Sequence, residues 1–143
     1  MILYLDTSAL VKLYIEESGS PEVRRIVEEA RIVSTSRVAY VEARAGIARK
    51  YREKELSKEE HDQVVEALIR DWDNYFIVEV SESVAKLGGT LTERQPLRGF
   101  DAIHLASALL LRNRTRLDVS FSCFDERLKT AAIAEGLMVS GKA

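Results

Sequence analysis

Short apolar runs alternate along this chain with longer segments whose apolar residues recur at helical spacing. A short apolar run is typical of a buried strand, whereas apolar residues three and four positions apart predict an amphipathic helix. The predicted strands cover residues 2–5, 31–35, 75–80, 117–124 and, at an edge of the sheet, 137–140. The predicted helices cover residues 7–15, 20–30, 36 to about 52, 57 to about 74, 81 to about 94, 101–113 and 126–135.

Several predicted helices carry recognisable signals at their ends. Pro21 suits the first helical turn, because the N–H that proline lacks would have no partner there. Ser57 and Glu60 have the spacing of a capping box, in which each side chain accepts a hydrogen bond from the backbone of the other. Gly136 is typical of the residue that ends a helix. These signals support the predicted boundaries.

The alternation of strands and helices predicts an α/β fold. Parallel strands need crossover connections, so the pattern indicates a central parallel sheet with helices on both faces. The chain has 143 residues, of which 46% are hydrophobic, and this is the size of one ordinary domain. We therefore expect a single domain over residues 1–143. Ligands of such sheets bind beyond the carboxyl ends of the strands.

Composition restricts the possible functions less than the pattern of apolar and polar residues does. The formal net charge of −2 gives no overall attraction to nucleic acid, so any binding of a polyanion would need a local basic patch. Cys123 is the only cysteine, which excludes an intrachain disulfide and favours a reducing cytoplasm. The most apolar stretch, AIHLASALLL, is about half as long as a bilayer span. We expect a soluble cytoplasmic protein that does not insert into a membrane.

Two aspartates directly follow predicted strands. Asp6 comes after the run ILYL, and Asp125 comes after SFSCF. Each could be the N-cap of the next helix, because Asp is among the preferred capping residues. Each could also contact a ligand at the carboxyl edge of the sheet. Capping is the more common role for either residue alone, but the presence of both at one edge favours a site.

Glu42 is the most informative acidic residue, because it lies within an apolar stripe of its predicted helix. The stripe has four members at helical spacing, Val38, Val41, Ala45 and Ala48. This position predicts that Glu42 faces inward, where an ionised carboxylate is costly unless it is paired or binds a metal. A structural ion pair with Arg37, Arg44 or Arg49 is therefore one interpretation, and metal binding is the other.

Asp101 begins an almost wholly apolar helix after a turn at Gly99, so it too could be a cap. Helical side chains tilt toward the N-terminus, which would carry Glu42 to the edge that holds Asp6, Asp101 and Asp125. Four carboxylates around one point repel one another unless a cation is present. A hard divalent ion such as Mg²⁺ or Mn²⁺ prefers oxygen ligands and would relieve that repulsion.

Zinc is disfavoured, because the sequence contains no cluster of His or Cys. His61 lies in a polar helix and is expected to be solvated. His104 follows Asp101 by three residues and is expected in the core or behind the ligands rather than among them. Asp118 precedes its apolar run, which predicts a place at the opposite edge of the sheet.

Four motifs together resemble the PIN-domain family. They are YLDTSALVKLY, VAYVEARAGIAR, FDAIHLASAL and SCFDERLKTAA, and the similarity covers nearly the whole chain. It is closest to the VapC-type toxins of bacterial and archaeal toxin–antitoxin pairs, which are Mg²⁺-dependent ribonucleases. The resemblance implies a PIN-like fold and places Asp6, Glu42, Asp101 and Asp125 at the metal-binding and catalytic positions.

Further residues are expected to support these acids. Ser8 matches a small hydroxyl residue of the opening motif and could bond Asp6 or a metal-bound water, or cap the helix. The family often has Thr or Ser where this chain has Cys123, which makes the adjacent Ser122 a candidate for the second shell of the site. Arg98 and Arg127 are the arginines nearest to the acids, and the guanidinium fork suits phosphate oxygens.

The resemblance implies hydrolysis of phosphodiester bonds in single-stranded or structured RNA, with Mg²⁺ or Mn²⁺ as cofactor. It also implies a cognate antitoxin and a homodimer. Two other functions stay open on the residues alone. One is a PIN-fold interaction module that does not cut RNA, which the intact set of acids disfavours. The other is a haloacid-dehalogenase-type phosphatase, but such enzymes carry a second Asp where this chain has Ser8.

Overall fold

A five-stranded parallel sheet forms the centre of the protein, whose computed structural model describes residues 1–140. The strands are β1 (Ile2–Leu5), β2 (Ile32–Ser36), β3 (Phe76–Val78), β4 (Val119–Ser122) and β5 (Met138–Ser140). Their order is β3-β2-β1-β4-β5, and every neighbouring pair is parallel. The predicted α/β class and the edge position of the last strand are confirmed.

Seven helices connect these strands within the described part of the chain. They are α1 (Thr7–Lys12), α2 (Ser20–Glu29), α3 (Arg37–Arg52), α4 (Lys58–Trp72), α5 (Glu82–Arg94), α6 (Gly99–Thr115) and α7 (Glu126–Ala134). The predicted capping box is present, since Ser57 accepts from the backbone of Glu60 and Glu60 accepts from the backbone of Ser57. Gly136 has a φ of +90°, a conformation in which glycine is free of the strain that a side chain would add.

β1 lies in the middle of the sheet and is buried on both faces, as a continuous apolar run predicts. Leu3 and Leu5 pack into a core with α1 to α4. Ile2 and Tyr4 pack into a second core with α5 to α7, where the Tyr4 ring stacks on Phe121 of β4 at a centroid distance of 5.5 Å. The two cores hold the end of β1, and therefore Asp6, in a fixed place.

Several boundaries differ from those expected from the sequence, and three of them lie in elements that carry residues of the predicted site. α1 ends at Lys12 rather than at residue 15, and the chain then turns. β4 ends at Ser122, so two residues separate this strand from Asp125. α6 begins at Gly99, with Arg98 as an N-cap that makes no side-chain bond. Asp101 is consequently the third residue of α6, and the interpretation of Asp101 as a helix cap is wrong.

The predicted apolar stripe of α3 is also wrong. The buried residues are Ala39, Ala43 and Ile47, whereas Val41 is 67% exposed. Small Ala side chains allow α3 to approach α1 closely, and this packing decides which face turns inward. Glu42 lies at the border of the buried face, with 28% of its side chain exposed.

No helix in the part of the chain that the structure describes is both long enough and apolar enough to cross a membrane.

The corrected face of α3 can be tested with one substitution at two positions. Ala43→Asp would bury an unpaired carboxylate and should lower the free energy of unfolding by about 3 kcal/mol or more, or prevent folding. Ala45→Asp has the same cost in helix propensity, but position 45 is exposed. This variant should therefore lower the free energy of unfolding by no more than about 1 kcal/mol. Urea denaturation followed by circular dichroism would measure both, and equal losses would contradict the assignment of the buried face.

Candidate active site

An open cleft lies at the carboxyl ends of β1 and β4, and we call it the acidic cavity. Its volume is about 380 Å³. The cavity is lined by Asp6, Thr7, Ser8, Glu42, Arg98, Asp101, His104, Phe124 and Asp125. All four acids expected from the sequence are therefore brought to one place.

Different elements carry these acids. Asp6 follows β1, and its backbone N–H donates to the carbonyl of Ser122 in β4 at 3.1 Å, so the ends of the two central strands are tied together. Asp125 is the N-cap of α7 and accepts from the backbone of Leu128 at 3.0 Å. Glu42 comes from the second turn of α3, and Asp101 from the first turn of α6.

Asp6 is a helix cap and a member of the cavity at the same time. Its Oδ1 accepts from the backbone N–H of Ala9 at 2.9 Å and from the Ser8 hydroxyl at 2.8 Å. Neither bond uses Oδ2. Burial raises the pKa of Asp6, and the charge of Asp101 adds to this rise, while His104 and the two hydrogen bonds oppose it. Capping and ligand binding, which are alternatives in the sequence, are compatible in the structure.

Glu42 is held by hydrogen bonds rather than by an arginine. Its Oε1 accepts from the Thr7 hydroxyl at 2.5 Å and lies 3.1 Å from Nε2 of His104. Burial opposes ionisation of this side chain, but the bonds from His104 and Thr7 outweigh it and lower the pKa of Glu42. Glu42 is therefore a carboxylate at neutral pH.

None of the arginines expected to pair with Glu42 does so within the described residues. Arg37 forms an ion pair with Glu79 at 2.6 Å, and Arg44 donates to the hydroxyl of Tyr40 at 2.7 Å. Arg49 makes no contact with Glu42 among the described ion pairs, in which the partner of Glu42 is His104, so the predicted ion pair with an arginine is wrong.

His104 connects Glu42 to the buried core. Its Nδ1 lies 2.8 Å from the hydroxyl of Tyr4, which is fully buried. Burial raises the pKa of Tyr4, so its hydroxyl keeps its proton and can donate to Nδ1. With Nδ1 accepting, Nε2 carries the proton and donates to Glu42. These contacts match the expected place of His104 behind the acids.

Asp101 and Asp125 interact through their charges. Burial raises the pKa of Asp101, and the charge of Asp125 raises it further, while His104 and Arg98 work in the opposite direction. Burial is the larger cause of the raised pKa values of Asp6 and Asp101, and repulsion from neighbouring carboxylates adds to it. A cation would relieve that repulsion.

The side chains that line the acidic cavity have the chemistry to bind a hard divalent ion. The cavity offers carboxylate and hydroxyl oxygens, which suit Mg²⁺ and Mn²⁺. Among residues 1–140, no three His, Cys, Asp or Glu side chains lie close enough together to enclose an ion by themselves. Mg²⁺ commonly keeps several waters and is held by one or two carboxylates, so an open cleft of this kind is compatible with it.

The other expected residues divide into two groups. Ser8 and Arg98 line the acidic cavity, and Ser8 contacts Asp6 directly. Arg127 is exposed on α7 and is not among the described residues that line the cavity. The side chain of Ser122 is buried outside the lining, and its hydroxyl has no hydrogen-bond partner among the described residues. Ser122 supports the site through its backbone carbonyl.

Thr7 and Phe124 line the cavity but were not expected from the sequence. Thr7 directly follows Asp6, and a hydroxyl beside a candidate ligand is the signal that could have identified it. Its partner Glu42 is distant in sequence, so the contact itself depends on the fold. Phe124 lies beside two lysines, with the ammonium groups of Lys12 and Lys129 at 4.7 and 5.8 Å from its ring centroid.

Comparison with known proteins gives one consistent family. Residues 3–133 match the PIN domain family. Ribonuclease VapC45 of Mycobacterium tuberculosis is 34% identical, over 97% of this chain and 94% of the relative. VapBC2 from Rickettsia felis, solved with a DNA fragment from its promoter, has a TM-score of 0.68 at 13% identity and 98% coverage of both chains. A toxin–antitoxin complex from Klebsiella pneumoniae has a TM-score of 0.60 at 24% identity, covering 82% of this chain and 83% of that chain.

The raised pKa of Asp6, which burial and the charge of Asp101 produce, predicts a pH-dependent effect of Asp6→Asn in protein kept free of divalent ions by EDTA. Because the pKa of Asp6 is raised on folding, its contribution to stability is present below the ordinary Asp value of about 3.9 and is lost as the pH rises through the raised value. Asn caps well and carries no charge. Asp6→Asn should therefore be as stable as the parent near pH 4 and more stable at pH 7, as measured by urea denaturation.

Asp118→Asn is the matched control, since Asp118 is exposed at the opposite edge of the sheet. It should leave stability within about 0.5 kcal/mol of the parent at both pH values. A loss of stability in Asp6→Asn that is the same at pH 4 and pH 7 would show that the cap matters and the repulsion does not.

The hydrogen bond from Thr7 helps to lower the pKa of Glu42, and this effect can be tested by substitution. Thr7→Val removes the hydroxyl at nearly constant volume and should raise the pKa of Glu42, because a donor to the carboxylate is lost. Thr7→Ser keeps the hydroxyl and should leave that pKa close to the parent value. NMR titration of the Glu42 carboxyl carbon would measure both, and an unchanged pKa in Thr7→Val would contradict the role of Thr7.

Proposed function

Because the chain belongs to the PIN-domain family, and within it to the VapC-type ribonucleases, we propose that it is a divalent-metal-dependent endoribonuclease that hydrolyses single-stranded RNA. Mg²⁺ is the proposed ion, and Mn²⁺ is an alternative with the same preference for oxygen ligands. The proposal assigns the hydrolytic site to Asp6, Glu42, Asp101 and Asp125.

One observation carries this proposal: four acids from widely separated segments line one cavity at the carboxyl ends of the two central strands. Helix capping explains the position of Asp6 and of Asp125, but it does not explain Asp101, which lies within α6. Nor does capping explain Glu42, which needs two donors to remain ionised at the border of a core.

One or two of the carboxylates of Asp6, Asp101 and Asp125 are proposed to hold the ion together with water, with Glu42 beside them. A bound divalent ion supplies Lewis acidity and lowers the pKa of a coordinated water. The chain itself holds the carboxylates in fixed orientations. Ser8 and the Ala9 amide hold Asp6, while Thr7 and His104 hold Glu42 in its charged form.

Arg98 is proposed to contact the RNA backbone. It is exposed at the start of α6 and lines the acidic cavity, so its guanidinium is a cation beside four acids. Such a group offsets the repulsion that carboxylates exert on an incoming phosphate, and its planar fork can donate two hydrogen bonds to phosphate oxygens. Arg127, exposed on α7, is a less direct candidate for the same contact.

We also propose a protein inhibitor as partner, since the structural relatives include complexes of a toxin with an antitoxin. A cognate antitoxin that covers the acidic cavity would block the proposed activity. A homodimer and a place in the cytoplasm are proposed on the same family grounds.

Purified protein without inhibitor should cleave a single-stranded RNA in Mg²⁺ or Mn²⁺ and lose that cleavage in excess EDTA. Asp101→Asn should lower the rate by about 100-fold or more, since even residues outside the ligand set of a metal site typically cost 10–100-fold. Asp118→Asn should cleave at the parent rate. Gel analysis of a labelled oligonucleotide would measure the cleavage rates of the parent and of both variants.

Cleavage that continues undiminished in EDTA would overturn the metal dependence. RNA binding without cleavage in either ion would instead favour an interaction module with the same fold.

A further inference from the structure

A second cavity opens beside the acidic cavity, and we call it the Phe100 cavity. Its volume is about 500 Å³. It is lined by Glu42, Arg98, Gly99, Phe100, Asp101 and Ile103. Glu42, Arg98 and Asp101 line both cavities, so a molecule that enters one would lie directly against the other.

Phe100 is the unusual residue of this second cavity. α6 is the most buried helix of the chain, yet Phe100 in its first turn is 54% exposed. A single exposed aromatic side chain is ordinary by itself. Phe100, however, immediately precedes Asp101 in the chain and lies in the wall of a cavity that shares an acid pair and an arginine with the proposed site of hydrolysis.

We infer that the Phe100 cavity binds a nucleobase of the RNA next to the phosphodiester bond that is cut, with the base stacked on the ring of Phe100. The inference rests on the proposed ribonuclease function and adds a substrate subsite to it. Aromatic side chains are the usual platforms for unpaired bases, because every base presents a π-face.

The charges of the lining favour a base over a phosphate at this position. Glu42 and Asp101 repel an anion, whereas a neutral base meets the apolar surface of Phe100 and Ile103. Arg98 lies at the junction of the two cavities and can hold the phosphate that joins the stacked nucleotide to the next one. Nothing within 4 Å would meet a Cβ at Gly99, so this part of the lining is open to a flat ligand.

Phe76 provides a matched control for Phe100. It is 53% exposed, which is almost the same as Phe100, but it begins β3 at the amino end of an edge strand. Phe76 lines neither the acidic cavity nor the Phe100 cavity, and its strand is separated from β1 by β2. Phe100→Ala and Phe76→Ala therefore remove the same ring, with nearly the same exposure, at two different places on the surface.

The first test compares kcat/KM for a short single-stranded RNA in Mg²⁺. Phe100→Ala should lower it by about 5- to 150-fold, the range that corresponds to loss of one base–aromatic stack. Phe100→Tyr keeps the ring and should stay within about twofold of the parent, as should Phe76→Ala. Mn²⁺ affinity by calorimetry and the thermal unfolding midpoint should be unchanged in Phe100→Ala, since the ring is not a ligand and is exposed.

The second test removes the base instead of the ring. An abasic ribose at one nucleotide flanking the cut should lower kcat/KM of the parent by a similar factor, and the same RNA should cost Phe100→Ala less than about twofold. If the abasic site lowers kcat/KM of Phe100→Ala by as large a factor as it lowers that of the parent, or if Phe100→Ala and Phe76→Ala both match the parent, the nucleobase subsite is wrong.

Binding of a single-stranded RNA in EDTA, where the proposed cleavage stops, can be followed by fluorescence anisotropy and separates this inference from the proposed function. Weaker binding by Phe100→Ala, with no change for Phe76→Ala, would support the subsite even if the parent protein did not cleave RNA. Cleavage by the parent together with unchanged binding and unchanged kcat/KM in Phe100→Ala would leave the ribonuclease function standing and overturn the subsite. A protein segment would then be the better candidate for the Phe100 cavity.

Discussion

The cost of burying carboxylates that repel one another is the constraint on which the architecture of this site depends. Asp6 and Asp101 lie in a partly desolvated cavity with two further acids, and burial together with neighbouring charge raises their pKa values. The free energy that holds such groups together comes from the two apolar cores on either side of β1, which fix the strand ends regardless of the charges that follow them. The fold therefore supports an arrangement that the acids alone would not adopt.

The chain moderates this repulsion with local donors. The start of α7 gives a backbone N–H to Asp125, α1 does the same for Asp6, and Asp101 lies in the first turn of α6, where the helix dipole favours negative charge. Glu42 accepts no backbone N–H in the described hydrogen bonds and relies on the side chains of Thr7 and of His104, which is held in turn by Tyr4 of the central strand. One carboxylate thus depends on a hydrogen-bonded chain that reaches into the core, and the buried hydroxyl of Tyr4 has a role beyond packing.

Much of this could be predicted from local sequence. The order of elements, the parallel sheet and the gathering of four acids follow from apolar runs, caps and the rule that parallel strands share a carboxyl edge. The inward face of α3 did not follow, because Val41 is more apolar than Ala43 and only close packing against α1 shows that the smaller residue is buried. The partners of Glu42 did not follow either, since Thr7 and His104 come from distant segments and an arginine on the same helix is the simpler expectation. The predicted start of α6 is two residues too late, because Gly99 resembles a turn residue, whereas in the structure it is the first residue of the helix.

The central claim is that these acids form a divalent-cation site, and anomalous diffraction from crystals soaked in Mn²⁺ tests it most directly. The account predicts one strong anomalous peak within the acidic cavity, bound by oxygens of Asp6, Asp101 or Asp125 and by water, and predicts its loss in crystals of Asp6→Asn. A peak elsewhere in crystals of protein that cleaves RNA, or an acidic cavity that stays empty at a Mn²⁺ concentration that supports cleavage, would contradict it.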